Sequence, residues 1–490
     1  MTEPTHKLAS AWRNFLALGL GNYGAMAVSL AVGVVLARHL GTEGYGRLAL
    51  MLMASQVLLL ATVNWTYTGF VRFGSREFAS NQAVGETLWA RLGIVLPVAA
   101  LGILLVLIAR QPLAAYLDIP PLGIWLILLH FAAASALSVI GAVFQASEQM
   151  PRYGLCLFLD KAVMLAGLVA LPAAWTSNPV VVLACYTASS MSVAFWAVST
   201  VGLRTLRPAF ARSASRQMLL FSAPVLLSSW AGVFGASWLD LVILKWYVPV
   251  SDIGVYSLAT QLAGVVQQIT IIFSTLVLPQ LSVMVAERQD ARIRMLLERL
   301  LPYWLLGTSI LFCLVLLGAR AVVPLVFGQP FGGAAPVLAL LMVATSLLAL
   351  FNSLAPLVAA YGSMWVLSAI TLVSAATNVV LNLVLIPPFG ILGSALATVL
   401  AYGASAGLVL MFVHRKLGGR VLRLGWLNAP VFVTCICFMV IDGAWFYAAA
   451  PVAAAITIIA LVALFRLFHP DDAVFLKDLS LPTPFGIGTR

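Results

Sequence analysis

Two charges and four polar stripes carry most of the chemistry in this chain, and all of them lie in apolar surroundings. At 100° per residue, Ser257, Gln261, Gln268 and Thr275 fall within about 40° of one another on a helix. In the preceding stretch Ser222, Ser229 and Asp240 share a face. Asn64, Thr68 and Arg72 span about 80° with Trp65 beside them, and Asn22 and Ser29 align near the start of the chain. Hydroxyls, amides and flat rings are the partners a sugar ring needs. The same residue types also join helices by hydrogen bonds inside a bilayer, and both readings stand for each stripe. Arg72 is either a cationic anchor or a directed donor array for a pyrophosphate. Asp240 is a gate or cation-coupling carboxylate, or one half of a pair with Lys245.

Glycine supplies a further pattern. The stretch "ARHLGTEGYGRLAL" (37–50) holds Gly41, Gly44 and Gly46 within six positions, as a phosphate-cradling loop would. Such a loop follows a strand and opens a helix inside a βαβ unit. Here both flanks are apolar. The 490 residues are 62% hydrophobic and 9% charged, with mean hydropathy +1.05, whereas soluble domains carry about 25% charge. Residues 15–37 contain no charge. As a helix they reach about 35 Å, enough for a hydrocarbon core of about 30 Å and too long for a signal-peptide core. The glycines therefore mark a turn between membrane helices.

Comparable stretches predict an all-α polytopic protein with fourteen spans, near 15–37, 48–71, 92–109, 122–146, 155–175, 179–202, 218–247, 254–278, 303–327, 335–358, 366–386, 392–413, 427–445 and 448–468. With both termini cytoplasmic, 22 of the 27 basic residues fall on the inner side, the sense required by the positive-inside rule. The net charge of +11 then reports orientation beside anionic lipid and implies no nucleic-acid partner. Arg91 counts among the inner anchors, Arg320 is expected to snorkel outward, and Asp160-Lys161 reads as a local pair beside a cytoplasmic turn. The five cysteines and five histidines show no metal-ligand spacing, and no cofactor is implied.

The glycine turn has an echo in "VPVSDIGVYSLA" (248–259), where Gly254 matches Gly46. The repeat suggests two six-helix lobes, 1–216 and 217–425, in pseudo-twofold arrangement, with two additional spans and a cytoplasmic tail at 426–490. "LARHLGTEGYGRLAL", "LDLVILKWYVPVSDIGVYSLA" and "NVVLNLVLIPPFGILGSALATVLAYG" (378–403) resemble signature regions of the O-antigen and polysaccharide flippases. These belong to the multidrug/oligosaccharidyl-lipid/polysaccharide exporter superfamily. The resemblance implies translocation of a polyprenyl-pyrophosphate-linked oligosaccharide across the bacterial inner membrane by alternating access. Its partners would be the lipid-linked oligosaccharide, the bilayer, and the polymerase and glycosyltransferases of the same pathway.

A drug or metabolite antiporter coupled to H+ or Na+ would use the same fold. It calls for an acidic residue in the first lobe, and spans one, two and four have none. A membrane polymerase or ligase would need catalytic groups on a sizeable outer loop, and the outer loops expected here reach only about a dozen residues. A transporter without a catalytic site is therefore expected.

Overall fold

The computed structural model of the protein describes residues 3–201, 214–223, 226, 237–362, 364–418 and 421–465. Every regular element among them is helical, and ten helices are long and apolar enough to cross a membrane. The chain is an all-α polytopic membrane protein. Two of the ten helices each hold two predicted spans joined at a kink. The eighth predicted span lies within a helix of its own, while residues 224–225 and 227–236 of the seventh fall outside the described residues. The helices form two compact units.

The first unit comprises Met1–Ser257 with Val326–Phe331. It holds α1 (Glu3–Thr62), α2 (Tyr67–Asn81), α3 (Gly85–Ile108), α4 (Arg110–Leu117), α5 (Pro121–Ala146), α6 (Met150–Ala170), α7 (Ala173–Thr176), α8 (Pro179–Thr200), α9 (Ser237–Tyr247) and the first turns of α10 (Val250–Ala286). The turn expected over 38–47 is compressed to one residue. Gly41 takes φ 64° and ψ −174°, and helix resumes at once on either side. A side chain is strained in that conformation, so the kink needs glycine.

The second predicted span is broken. Helix α1 stops at Thr62, and Asn64–Thr66 form a 3-10 turn before α2 begins. Side chains compete for the local backbone here. Thr62 Oγ1 donates to the Leu58 carbonyl, Trp65 Nε1 to the Thr62 carbonyl and Thr66 Oγ1 to the Val63 carbonyl. Such local bonds favour turns over helix interiors. The regular spacing assumed for Asn64, Thr68 and Arg72 therefore does not hold. Around Phe70, α2, α5 and α8 bury Ala142, Val143, Phe144 and Ala197 in one core.

The second unit comprises Leu258–Leu325 and Gly332–Arg490. It contains the rest of α10, α11 (Asp290–Met295), α12 (Leu301–Phe327), α13 (Ala334–Ala360), α14 (Met364–Leu417), α15 (Ala429–Val440) and α16 (Ala444–Phe465). Helix α14 kinks at Gly390, where φ is 56°. Its two arms are joined by a buried seam: Asn382 Nδ2 donates to Asn378 Oδ1 at 3.0 Å, and Asn378 Nδ2 to Thr398 Oγ1 at 3.4 Å. Arg320 on α12 reaches the C-terminal end of α15, where the exposed Asp442 carboxylate lies 3.6 Å from its Nη2. Its Nη1 donates to the Ile441 carbonyl at 2.8 Å and its Nη2 to the Phe438 carbonyl. The guanidinium lies 4.5 and 4.7 Å from the Phe438 and Phe446 ring centroids. Carbonyls at the negative dipole end of a helix are favourable partners for such a cation.

Candidate functional site

The first unit contains a cavity of about 700 Å³. Helices α1, α5, α6 and α8, the 3-10 turn and the start of α2 supply its walls, with Gln56, Asn64, Tyr67, Thr68, His130, Ser138, Gln145, Tyr153, Asp160, Lys161, Tyr186 and Ser190 as polar lining. Asp160 and Lys161 lie at the middle of α6. This helix begins at Met150 with a proline in its first turn, a position proline favours, so the pair stands well inside a span. That corrects its expected place beside a cytoplasmic turn.

The two charges are bound to each other. Lys161 Nζ lies 2.8 Å from Asp160 Oδ2. From α8, Ser190 Oγ donates to Asp160 Oδ1 at 2.8 Å, and Ser189 Oγ donates to the Asp160 backbone carbonyl. Lys161 Nζ also sits 5.9 Å from the centroid of the Tyr186 ring. Across the cavity Ser138 Oγ donates to Asn64 Oδ1 at 2.9 Å. The lining thus offers a carboxylate–ammonium pair, neutral amides and hydroxyls, and three phenol rings. Such a set can exchange hydrogen bonds with a polyhydroxylated solute and stack on its apolar faces. Clusters of three or more His, Cys, Asp or Glu able to hold a metal ion are absent among the described residues.

The sequence-predicted residues are distributed as follows. Asn64 and Thr68 line this cavity. Asn22 and Ser29 line an adjoining recess of about 280 Å³ that shares Tyr153, Asp160 and Lys161 with it. Trp65 is buried in the wall, bonded to Thr62. Arg72 is exposed, its guanidinium 4.7 Å from the Phe221 ring centroid. Ser222 is buried behind Gly69. Asp240 on α9 is buried, and its Oδ2 accepts a hydrogen bond from Tyr256 at 2.7 Å. Ser257 and Gln261 are half-buried on α10 and Gln268 is exposed. Ser229 and the side chain of Thr275 lie outside the described residues. Further along α10, Thr270 accepts a hydrogen bond from the Asn352 amide of α13 and Ser274 donates to the Asn352 carbonyl.

Besides Asp160 and Lys161, sequence reasoning passed over Arg91. Helix α3 begins at Gly85, so Arg91 stands well inside it and is fully buried. Its Nε donates to Thr66 Oγ1 at 3.0 Å, while Nη1 and Nη2 have no hydrogen-bond partner among the described residues. The guanidinium lies 5.7 Å from the ring centroid of Tyr67, a residue of the cavity wall, and 5.3 Å from that of Phe70. A buried cation within a membrane helix marks a candidate functional group. A count of basic residues by side could not separate it from an ordinary anchor.

Known proteins share this architecture. The chain is similar to a probable low-salt glycan biosynthesis flippase of Haloferax volcanii, at 24% identity over 210 residues, 43% of this chain and 44% of that protein. It thus spans less than half the length of this curated relative. Among solved structures, the lipid II flippase MurJ in an inward closed conformation superposes with a TM-score of 0.69 at 11% identity, over 95% of this chain and 99% of that one. An inward-facing multidrug resistance transporter of the MATE family gives 0.64 at 14% identity, over 85% and 99%. At these identities the two structures speak for the fold. The family described as polysaccharide biosynthesis protein matches residues 11–285, more than half of the chain, and the protein belongs to that family.

Proposed function

We propose that the protein flips a polyprenyl-pyrophosphate-linked oligosaccharide across the bacterial inner membrane by alternating access, for surface polysaccharide assembly. The observation that carries this reading is the polar, charge-paired cavity of the first unit, set among helices whose outer faces are apolar, in a chain of the polysaccharide biosynthesis family. Sugar hydroxyls would exchange hydrogen bonds with Asn64, Ser138, Gln145 and the Asp160–Lys161 pair. The pyrophosphate needs a cation with directed donors, and Arg72 and Arg91 are the candidates. Asp240, held by Tyr256, serves the gate or the coupling step. Polymerase and glycosyltransferases of the same pathway would act before and after translocation.

The test is deletion of the gene in a strain with no second flippase. Lipid-linked oligosaccharide should accumulate in the cytoplasmic leaflet and surface polymer should disappear. Normal polymer in that strain overturns the reading.

One observation favours a second reading, a cation-coupled drug or metabolite antiporter. The acid that such a carrier needs in its first lobe, missing from spans one, two and four, is supplied by Asp160 on α6. Export of a lipophilic dye driven by an imposed H+ or Na+ gradient, and abolished in Asp160→Asn, would separate this reading from the first.

A further inference from the structure

Building on the flippase reading, we infer that the first-unit cavity is a subsite for an uncharged sugar ring and discriminates against acidic ones. Among the described residues that line it, Asp160 and Lys161 are the only Asp, Glu, Lys or Arg, and they neutralise each other across 2.8 Å. Both project from consecutive positions of α6, and Ser190 occupies the second carboxylate oxygen. The pair is thus held as a fixed dipole. A sugar diol satisfies this dipole without breaking it, since one hydroxyl accepts from the ammonium and its neighbour donates to the carboxylate. An acidic ring cannot do the same. It must either take Lys161 away and leave Asp160 uncompensated within a span, or place its own charge against Asp160. Both outcomes are unfavourable in a low-dielectric site. The rest of the polar lining is made of amides, hydroxyls, phenols and the imidazole of His130. The cavity's size, about 700 Å³, falls within the range of small-molecule sites, about 300–1,000 Å³.

The experiment uses the full chain in phosphatidylethanolamine–phosphatidylglycerol vesicles. Two fluorescent probes share one short polyprenyl diphosphate and carry either glucose or glucuronate. Any pull of Arg72 or Arg91 on the diphosphate is then common to both. The glucose probe is expected to cross at least about tenfold faster than the glucuronate probe, a lower bound on the effect of one like-charge juxtaposition. Asp160→Asn leaves Lys161 uncompensated and should move the ratio about tenfold towards glucuronate. Lys161→Gln should move it in the opposite direction, and it carries the test if Asp160→Asn does not fold. Equal rates in the wild type, a preference for glucuronate, or a ratio unmoved in both folded variants would overturn the inference and leave the flippase reading intact. If neither probe crosses, the melting temperature of the protein decides. Stabilisation by the glucose probe alone supports the subsite and counts against flipping, whereas no stabilisation by either removes both.

Discussion

Arg91 is the residue whose surroundings are hardest to explain by folding alone. Two of its three guanidinium nitrogens lack hydrogen-bond partners among the described residues, in a fully buried position. An apolar side chain of similar length would fill the same space without that penalty. Arg91→Met should therefore keep or raise the melting temperature while lowering translocation at least about tenfold, if the guanidinium serves an anionic group. A folded variant with wild-type transport makes Arg91 a packing residue. Asp240→Asn keeps an oxygen for the Tyr256 hydroxyl, so it should insert and fold normally yet lose transport, with Asp240→Glu retaining part of it. Transport at the wild-type rate in Asp240→Asn would reduce the carboxylate to an anchor for Tyr256. At this scale the sequence was legible where a polar side chain interrupts an apolar run, as at Asn22, Ser29, Asn64 and Thr68, all of which lie in cavity walls. It was not legible at Asp160, Lys161 and Arg91. Hydropathy sets helix ends only to within a turn or more, and that error moved these charges from the middle of a wall to a surface. Burial of Arg91 also depends on the chain turning at Asn64–Thr66, which brings Thr66, Tyr67 and Phe70 around it.

Helices, as elements, were readable from apolar runs because backbone groups in a bilayer must bond within their own segment. Their interruptions were less so. Gly41 and Gly390 keep the chain helical up to a single kinked residue, where a loop of several residues was expected. The opening glycine stretch and its echo meet in space: a Cβ on Gly46 would run into the Val250 carbonyl and lie 2.9 Å from the Gly254 nitrogen, and a Cβ on Gly254 would run into the Thr42 carbonyl and lie 3.0 Å from the Gly46 nitrogen. Because the obstacle is backbone, Gly46→Ala should lower stability by about 1–3 kcal/mol or prevent folding. Gly264→Ala, with open space around it, should be neutral or mildly stabilising by up to about 1 kcal/mol. Thermal melts of the two variants in detergent check this, and equal melting temperatures would contradict the close approach. Arg320 ties α15 to α12. Arg320→Met is expected to speed amide exchange and proteolysis around 438–447 by several-fold while leaving the first unit's protection unchanged.

Over the whole molecule, large apolar side chains face outward in numbers that water would not tolerate. Phe195, Leu325, Trp445 and Leu464 are each more than 70% exposed, and only a hydrocarbon surround makes such a surface stable. The charge distribution further predicts that residue 118 faces outward and residue 287 faces the cytoplasm. A cysteine at position 118 should react with a membrane-impermeant maleimide in intact cells, whereas one at position 287 should react only after lysis. The reverse pattern would invert the topology.

The meeting of Gly46 and Gly254 also affects what a set of related sequences could reveal. Pairs of positions betray their proximity when a change at one is compensated by a change at the other. Here each residue is constrained by backbone, first the Val250 carbonyl for Gly46 and the Thr42 carbonyl for Gly254, which no substitution alters, and glycine is already the smallest residue available. No compensating exchange exists, so neither position can drift and the pair can leave no correlated signal. One of the tightest approaches in the fold would therefore be invisible to inference from covariation.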